Sequence, residues 1–292
     1  MNGRLLLLCP GQGGQHAGMF DLARTHAGAR DFVDRCALPS DDASLFDNRV
    51  AQPAIVAATL AMWLALRETL PAPALVAGYS IGELAAYAVA EALSVDDTVG
   101  LAKARAALMD AAATGEPQGL AAVTGVAVDT VRTQVDVAIV TGIDSCIAGG
   151  TRAQLDVLAA TWPAARVQML PVAIASHTPR MQEAVAPFAR LLTGSVGRPR
   201  CPVLAGIDAS RVLRPDIATD RLSRQLAETI EWAACMDAMA EAGITVALEL
   251  GPGAALARML QARHPQIACR SVADFHTLNG INAWVARALN QS

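Results

Sequence analysis

The most constraining feature of the sequence is the stretch 74–92, where a short apolar run meets Gly78-Tyr79-Ser80-Ile81-Gly82 and then a helical pattern. This order predicts a strand, a sharp turn and a helix. Ser80 is lifted clear of a sheet in such a turn, because the flanking glycines allow a strained backbone. Ser80 is therefore a candidate nucleophile. The stretch alone leaves open a glycine-rich turn whose serine caps the helix.

The composition fits a folded chain with a sizeable core. The 292 residues are 53% hydrophobic, which is enough for one large domain, or for one domain with an inserted subdomain. The formal net charge of −4 argues against general nucleic-acid binding. Six cysteines are scattered without a C-x-x-C pair, and we see neither a secretory leader nor a membrane-spanning stretch. We therefore expect reduced thiols and a cytoplasmic protein that binds no membrane.

Charge is distributed unevenly along the chain. Between Arg180 and Arg224, eight arginines accompany four acidic residues, a local charge of +4. An anionic partner is one interpretation of this segment, and a solvated surface is the other. The one lysine of the chain, Lys103, does not lie in a G-x-x-x-x-G-K-[ST] motif, which excludes P-loop nucleotide chemistry.

The short apolar run Leu5–Cys9 predicts a first strand, and a second glycine-dense turn, Pro10–His16, follows it. It is not a dinucleotide fingerprint, because the third glycine position of G-x-G-x-x-G is occupied by His16. Open α/β folds place their ligands at the carboxyl ends of the strands, so Gln12 or Gln15 is a candidate to face Ser80 and help bind an oxyanion. Exposed glutamines in a tight turn are the alternative.

From Gly119 the pattern changes to short strands and helices. We predict strands over 119–126, 137–142, 145–149 and 166–173, with helices over 129–134 and 152–161. The order β-α-β-β-α-β is the ferredoxin-like arrangement. The predicted fold class is therefore α/β. A large domain with a parallel sheet, like that of α/β-hydrolases, comprises residues 1–116 and 178–292, and a small ferredoxin-like subdomain comprises residues 117–177.

The second half of the chain adds a histidine in a suggestive place. His177 lies just beyond an apolar run, in a loop before a helix, although a lone histidine is more often structural or solvated. Later segments predict a strand over 201–206, a helix over 220–231 that carries Gln225, and a strand over 245–250 that ends in Gly-Pro-Gly.

Taken in order, these features resemble the malonyl-CoA:acyl carrier protein transacylase family over nearly the whole chain. The motifs that carry the resemblance are P-G-Q-G-x-Q from Pro10, G-x-S-x-G-E from Gly78, R-x-x-x-M from Arg105, P-V-x-x-x-S-H from Pro171, R-Q-L from Arg224 and G-P-G from Gly251. Several motifs that coincide at the correct intervals are far more specific than a single serine turn.

The resemblance implies a covalent mechanism with two reacting side chains. Ser80 attacks a thioester, and His177 acts as the general base and then returns the proton to the departing thiol. The imidazole is oriented by a main-chain carbonyl in the region of Gln225. The oxyanion is held by backbone amides next to Gln12 and Ile81.

The resemblance also implies the substrates. Arg105 corresponds to the arginine that forms a two-pronged salt bridge with the malonyl carboxylate, a task for which a guanidinium fork is suited; a surface helix residue is the alternative reading. Malonyl-CoA is the donor, and the prosthetic thiol of an acyl carrier protein is the acceptor. Neither a metal nor a permanently bound cofactor is expected.

Two departures from the family pattern concern the pathway. Tyr79 replaces the usual histidine before the nucleophile, and the segment from Arg105 to His177 is shorter than is typical of the fatty-acid enzymes. With the Ser-His-Thr-Pro sequence at 176–179, these features look more like the epsilon subunit of biotin-independent malonate decarboxylase, whose acceptor is the decarboxylase's own carrier subunit. The alternative is a transacylase of fatty-acid or polyketide synthesis.

Two functions of other classes remain as rivals. A serine hydrolase of the α/β type would pair Ser80 with a late histidine, His264 or His276, but the chain lacks the His-Gly-Gly-Gly oxyanion motif. A catalytically silent docking subunit would keep the fold without the chemistry, which the presence of Ser80, His177 and Arg105 argues against.

Overall fold

A computed structural model describes residues 3–38, 44–163 and 166–291. In chain order the strands are β1 (Leu5–Cys9), β2 (Leu75–Gly78), β3 (Gln118–Thr124), β4 (Asp136–Val140), β5 (Ser145–Thr151), β6 (Val167–Met169), β7 (Val203–Leu204), β8 (Arg211–Val212), β9 (Val246–Glu249) and β10 (Ala268–Ser271). The α-helices are α1 (Ala27–Cys36), α2 (Asn48–Leu66), α3 (Ile81–Val89), α4 (Val95–Ala112), α5 (Val128–Arg132), α6 (Arg152–Thr161), α7 (Gln182–Leu192), α8 (Pro215–Arg224), α9 (Trp232–Glu241), α10 (Ala255–Arg263) and α11 (Leu278–Asn290).

The larger sheet has the strand order β10-β9-β1-β2-β7-β8. All neighbouring strands are parallel except β8, which runs antiparallel to β7 at the edge. Strand β1 lies in the interior of the sheet, and its five residues Leu-Leu-Leu-Leu-Cys are all buried. A continuous apolar run is typical of a parallel strand that is covered on both faces. The predicted α/β class with a parallel sheet is confirmed.

The core lies on both faces of this sheet. Leu5 and Leu7 of β1 pack with helices α1 to α4 on one face, and Leu6 and Leu8 pack with α9 and α10 on the other. By length and composition, helix α2 is apolar enough to cross a membrane, but 83% of its most apolar window is buried inside the protein. Burial on nearly all sides is what a core helix requires.

A second sheet is formed by β4-β5-β3-β6, with antiparallel neighbours. Its strands and the helices α5 and α6 follow one another as β-α-β-β-α-β, near the positions that the sequence predicts. Leu120, Ala138 and Ile139 of this sheet share a hydrophobic cluster with the larger sheet and α9. The second sheet therefore packs directly over the carboxyl-edge region where the predicted site lies.

One predicted element is wrong in its second half. The helix expected over 220–231 ends at Arg224, Gln225 is its C-cap, and α9 begins only at Trp232. Ile230 instead pairs with the second sheet: its N–H donates to Ala138 O at 2.9 Å, and its carbonyl accepts from Val140 N at 2.8 Å. These tertiary hydrogen bonds replace the helical ones, and the resulting turn carries the main chain of Gln225 toward His177.

Other expected bounds are trimmed by the structure. The strand predicted over 201–206 shortens to Val203–Leu204, and the one predicted over 166–173 shortens to Val167–Met169. Between the glycine-dense turn Pro10–His16 and α1, the chain forms two short 3₁₀ turns, Ala17–Phe20 and Ala23–Thr25.

Candidate active site

Ser80 stands on the sharp turn between β2 and α3. Its backbone has φ 55° and ψ −119°, a region that residues other than glycine rarely occupy. A Cβ at Gly78 would collide with the backbone of Gly82, and a Cβ at Gly82 would collide with the carbonyl of Cys9. The two glycines of the motif are thus required by the close packing of α3 against β1 and β2, and the turn exposes the Ser80 side chain at the carboxyl edge of the sheet.

His177 lies in hydrogen-bonding contact with this serine. Ser80 Oγ is 2.7 Å from His177 Nε2, and His177 Nδ1 lies 2.5 Å from the main-chain oxygen of Gln225. A carbonyl oxygen can only accept, so Nδ1 carries the hydrogen and Nε2 of the neutral ring presents its lone pair to the serine hydroxyl. His177 also has a left-handed backbone, with φ 60°, and its N–H donates to Leu226 O at 2.8 Å.

The electrostatics keep this imidazole neutral. Burial, the positive charge of Arg105 and, in the opposite direction, the hydrogen bond to Gln225 together lower the pKa of His177 to about 3. A neutral imidazole with a free Nε2 lone pair is the form that accepts a proton from a serine. The pair is therefore in the correct protonation state for nucleophilic chemistry at neutral pH.

A buried polar cluster lies behind the pair and centres on the side chain of Gln225. Its amide oxygen accepts from Arg105 Nη2 at 3.3 Å, and its amide nitrogen donates to Glu83 Oε2 at 2.6 Å and to Ser80 O at 3.2 Å. Arg105 Nη1 donates to Gln52 Oε1 at 2.6 Å. Gln225 thus touches the nucleophile through its side chain and the histidine through its main chain.

The pair opens into a cavity of about 320 Å³ between the two sheets. Its walls come from the glycine-rich turn at 10–14, the turn at 252–254, the start of α10, and apolar side chains of the second sheet. Gln12 lines this cavity, and also an adjoining groove of about 800 Å³ that includes Asn48 and Asp110. A narrow, largely apolar passage that ends at a serine suits a thioester carried on a long arm.

The sequence-predicted residues occupy different depths of this site. Ser80, His177 and Gln225 are in contact, Gln12 is in the cavity wall, and Ile81 is the first residue of α3. Gln15 turns away, because its side chain binds Gly13 N and Leu45 O. Arg105 is buried, and neither it nor Gln225 lines the cavity; Arg105 is connected to the reacting pair behind the cavity wall, through Gln225.

Three buried residues of the site received no role from the sequence. They are Gln52, Glu83 and Glu249. A polar or acidic residue within an apolar element is a signal that could have found all three. Glu249 lines the cavity, and its carboxylate accepts from Ala257 N at 2.9 Å; burial raises its pKa to about 7. In the described ranges, no group of three or more His, Cys, Asp or Glu side chains is arranged to hold a metal ion.

Comparison with known proteins places this geometry in context. The sequence model of the acyl transferase domain family matches residues 6–277. The malonyl CoA-acyl carrier protein transacylase of Mycobacterium tuberculosis is 33% identical over 289 residues, which cover 92% of this chain and 96% of that protein. Its relative in Synechocystis is 26% identical over 288 residues, covering 93% of this chain and 98% of that protein.

Solved structures have the same fold. The crystal structure of MCAT from Mycobacterium tuberculosis aligns with a TM-score of 0.88 at 31% identity, covering 96% of this chain and 99% of that one. FabD from Xanthomonas oryzae aligns with a TM-score of 0.88 at 28% identity, covering 98% and 99%. A malonyl-transacylase in complex with a type II polyketide acyl carrier protein has a TM-score of 0.86 over 99% and 100% of the chains, and at 23% identity that likeness concerns the fold.

Proposed function

The chain belongs to the acyl transferase domain family, and we propose that it is a malonyltransferase that moves the malonyl group from malonyl-CoA to the thiol of an acyl carrier protein. The observation that carries the proposal is the 2.7 Å contact between Ser80 Oγ and His177 Nε2, with the imidazole held by a main-chain carbonyl. The name of the Mycobacterium tuberculosis relative supports this choice of donor and acceptor.

In the first half-reaction, Ser80 Oγ attacks the thioester carbonyl carbon of malonyl-CoA while His177 Nε2 takes the hydroxyl proton. The C–S bond then breaks, His177 returns the proton to the departing thiolate, and CoA leaves with its thiol restored. In the second half-reaction the carrier thiol gives its proton to His177 and attacks the malonyl ester. Ser80 recovers the proton as the malonyl-carrier thioester departs.

The oxyanion of both tetrahedral intermediates is assigned to the backbone N–H groups of Gln12 and Ile81. The first N–H groups of a helix have no intrahelical acceptor, and Ile81 begins α3 directly after Ser80. Gln12 lines the same cavity as Ser80. Fixed N–H donors directed at a developing oxyanion are the largest single source of stabilisation in many acyl transfers. The reaction needs neither a metal nor a permanently bound cofactor, because side chains and the two thiols make every transfer.

Arg105 is assigned to the malonyl carboxylate. Among the described residues, its hydrogen-bond partners are the amide oxygens of Gln52 and Gln225, so two of its five N–H groups are engaged and no carboxylate neutralises it by contact. A buried guanidinium without a contacting anion favours a substrate that brings one. An acetyl donor offers no such charge, which gives the site a reason to prefer malonyl-CoA.

For the pathway, the comparisons favour a transacylase of fatty-acid or polyketide synthesis over the malonate decarboxylase subunit that the sequence suggested. Relatives that match this chain are named as transacylases and as a polyketide synthase. The decarboxylase role depends on Tyr79, on the Ser-His-Thr-Pro sequence at 176–179 and on the short segment from Arg105 to His177. The ring of Tyr79 packs edge-on against Trp232 with centroids 5.1 Å apart. Parallel transfer assays with both holo-carriers at matched salt decide between the pathways, and a higher kcat/KM with the decarboxylase carrier would restore that role.

Two further statements belong to this proposal. Residues 117–177 form a ferredoxin-like subdomain inserted between the two parts of a large domain, 1–116 and 178–292, which the order of its elements and its antiparallel sheet support. The protein acts in the cytoplasm, which is consistent with six free cysteines.

A covalent malonyl-Ser80 intermediate is the direct test of the function. Brief incubation with malonyl-CoA followed by intact-mass measurement should give one malonyl adduct, and Ser80→Ala should abolish it. Peptide mapping should place the adduct on Ser80 rather than on Ser176, which also lines the cavity. An adduct that survives in Ser80→Ala would assign the nucleophile to another residue.

A further inference from the structure

Glu83 is a buried acid that the reaction just described does not use. It lies on the first turn of α3, three residues after Ser80, and none of its surface is exposed. Its Oε2 accepts from Gly206 N at 3.0 Å and from Gln225 Nε2 at 2.6 Å. Its Oε1 has no hydrogen-bond partner among the described residues. A buried carboxyl group with one unsatisfied oxygen is costly, so its presence beside the reacting pair requires a reason.

The amide of Gln225 connects this acid to Arg105. On one side the amide nitrogen meets Glu83, and on the other the amide oxygen meets the guanidinium. The two charges also act on each other through space: Arg105 lowers the pKa of Glu83, and Glu83 raises the pKa of Arg105. Burial outweighs both effects, raising the pKa of Glu83 to about 7 and lowering that of Arg105 to about 10.

The donor and acceptor pattern fixes the direction of that amide. An arginine only donates, so Gln225 must turn its oxygen toward Arg105 and its NH₂ group away from it. The NH₂ group then needs an acceptor, which Glu83 Oε2 supplies. Gly206 N and Gln225 Nε2 both donate to Oε2 of Glu83. This oxygen therefore accepts hydrogen bonds whether the acid is ionised or protonated, and in the protonated acid the proton resides on Oε1. The same NH₂ group also donates to Ser80 O.

We propose that Glu83 is a positioning residue for donor selection: its Oε2 fixes the Gln225 amide, and the amide oxygen in turn holds the Arg105 guanidinium where a malonyl carboxylate binds. The proposal rests on the function assigned above. Without an acceptor at position 83, only the longer 3.2 Å contact with Ser80 O would still hold the NH₂ group in place. An amide that rotated would turn its NH₂ group against the N–H groups of Arg105. Acetyl transfer depends less on this link, because His177 is held by the main-chain carbonyl of Gln225 and not by the amide.

The test compares two variants of one residue in the full-length protein. Glu83→Leu removes the acceptor, whereas Glu83→Gln can keep an amide oxygen at the position of Oε2 and place its NH₂ group where Oε1 has no partner. We expect Glu83→Leu to lower the ratio of kcat/KM for malonyl-CoA to that for acetyl-CoA about tenfold or more, and Glu83→Gln to keep the ratio at or above that of the wild-type protein. A general loss of packing would lower kcat/KM for both donors together and leave their ratio unchanged.

Two further variants keep the test decisive. Gln225→Met removes the amide but leaves the main-chain carbonyl, and it should lower the donor ratio even if Glu83→Leu fails to fold. Tyr87→Phe is the matched control: Tyr87 is buried one turn further along α3, and its hydroxyl has no hydrogen-bond partner among the described residues. Tyr87→Phe should leave the ratio unchanged.

The outcomes separate this proposal from the function itself. A wild-type protein that forms no malonyl adduct on Ser80 would overturn both. With a wild-type adduct, an unchanged donor ratio in Gln225→Met, or equal losses in Glu83→Gln and Glu83→Leu, would overturn the role of Glu83 alone. A change in Tyr87→Phe as large as that in Glu83→Leu would also overturn it, because the ratio would then report the packing of α3.

Discussion

Arg105 and the arginines of the 180–224 segment differ in burial and in the partners of their guanidinium groups. Arg105 is buried and hydrogen-bonded to neutral amides, whereas half of the eight surface arginines lie against a carboxylate. These surface pairs are Arg200 with Glu91, Arg214 with Asp216, Arg221 with Asp208 and Arg224 with Glu228. The local charge of +4, counted along the sequence, therefore overstates what this surface offers to an anionic carrier, whereas Arg105 contacts no carboxylate among the described residues.

The contrast between interior and surface predicts that the largest loss of activity comes from the buried Ser80–His177 pair. Replacing His177 by alanine removes the base that contacts Ser80 Oγ, and acylation should slow roughly 10²–10⁴-fold, the usual contribution of a positioned general base. Rapid-quench mass spectrometry of the acyl-enzyme measures this rate. His264→Ala is the matched control, because His264 binds Asp237 outside the cavity and is the base of the rival hydrolase reading. A folded His177→Ala variant with near-normal acylation would remove His177 from the mechanism.

The next largest effect should distinguish the two donors. Arg105→Ala removes the cation that is assigned to the bound malonyl carboxylate. Removing one partner of such a buried charge pair costs about 3 kcal/mol or more, so kcat/KM for malonyl-CoA should fall at least about a hundredfold. Transfer from acetyl-CoA should hold steady or rise, because the uncompensated cation is gone. Arg105→Lys should recover only part of the loss, since an ammonium lacks the guanidinium fork. Equal losses for both donors would mean that Arg105 supports the fold or the carrier site.

The pH dependence of acylation and of stability should reveal the lowered pKa of His177. The pKa of His177 is lowered to about 3, so the base form persists well below pH 6.5 and acylation should show no protonation limb there. The same lowered pKa makes the protein less stable at low pH. Between about pH 6.5 and 3 the unfolded chain binds more protons at this residue, so its contribution to stability, full above pH 6.5, is lost as the pH falls.

Stopped-flow acylation and denaturant unfolding across pH 5–8 measure these two effects. A limb near pH 7 that disappears in Glu83→Gln would belong to Glu83, whose pKa is raised to about 7. A limb near pH 6.5 that persists in that variant would contradict the neutral, buried state of His177.

The smallest effect is expected on the surface. Arg214 is largely exposed and already paired with Asp216 at 2.6 Å, so Arg214→Ala should leave the free energy of unfolding almost unchanged. Transfer to the carrier should change less than about twofold at fixed ionic strength. Arg198→Ala is the matched comparison, because no ion pair of Arg198 occurs among the described residues. A tenfold loss of transfer in Arg214→Ala would indicate instead that the 180–224 segment is a docking surface for the carrier.

The reacting serine could be predicted because its geometry is local. Gly78 and Gly82 pack against backbone atoms within the turn and next to it, so this short stretch largely determines the turn that holds Ser80. The first strand could be predicted because a run of only five apolar residues, ended by Pro10-Gly11, is typical of a strand covered on both faces. The order of elements in the second sheet likewise followed from the alternation of short apolar runs and turns.

The polar cluster behind the serine could not be predicted from local pattern. Gln225 meets Arg105 across 120 positions and Glu83 across 142. Both contacts depend on α8 ending at Arg224, where the sequence predicted a continuing helix. Local propensity favoured that helix, but Ile230 pairs with the second sheet instead. Long-range backbone pairing of this kind leaves no trace in the spacing of residues.

The backbones of Ser80 and His177 set a limit on how stable this protein can become. Both residues have φ angles in the left-handed region, 55° and 60°, which residues with a side chain enter at a cost of order 1 kcal/mol or more. Glycine would relieve that cost at either position and would abolish the chemistry. The chemistry thus requires two residues in backbone conformations that oppose stability, a trade-off between activity and stability. Selection or engineering for heat tolerance must therefore act on other parts of the chain, since these two residues have to stay strained for as long as the protein is to react.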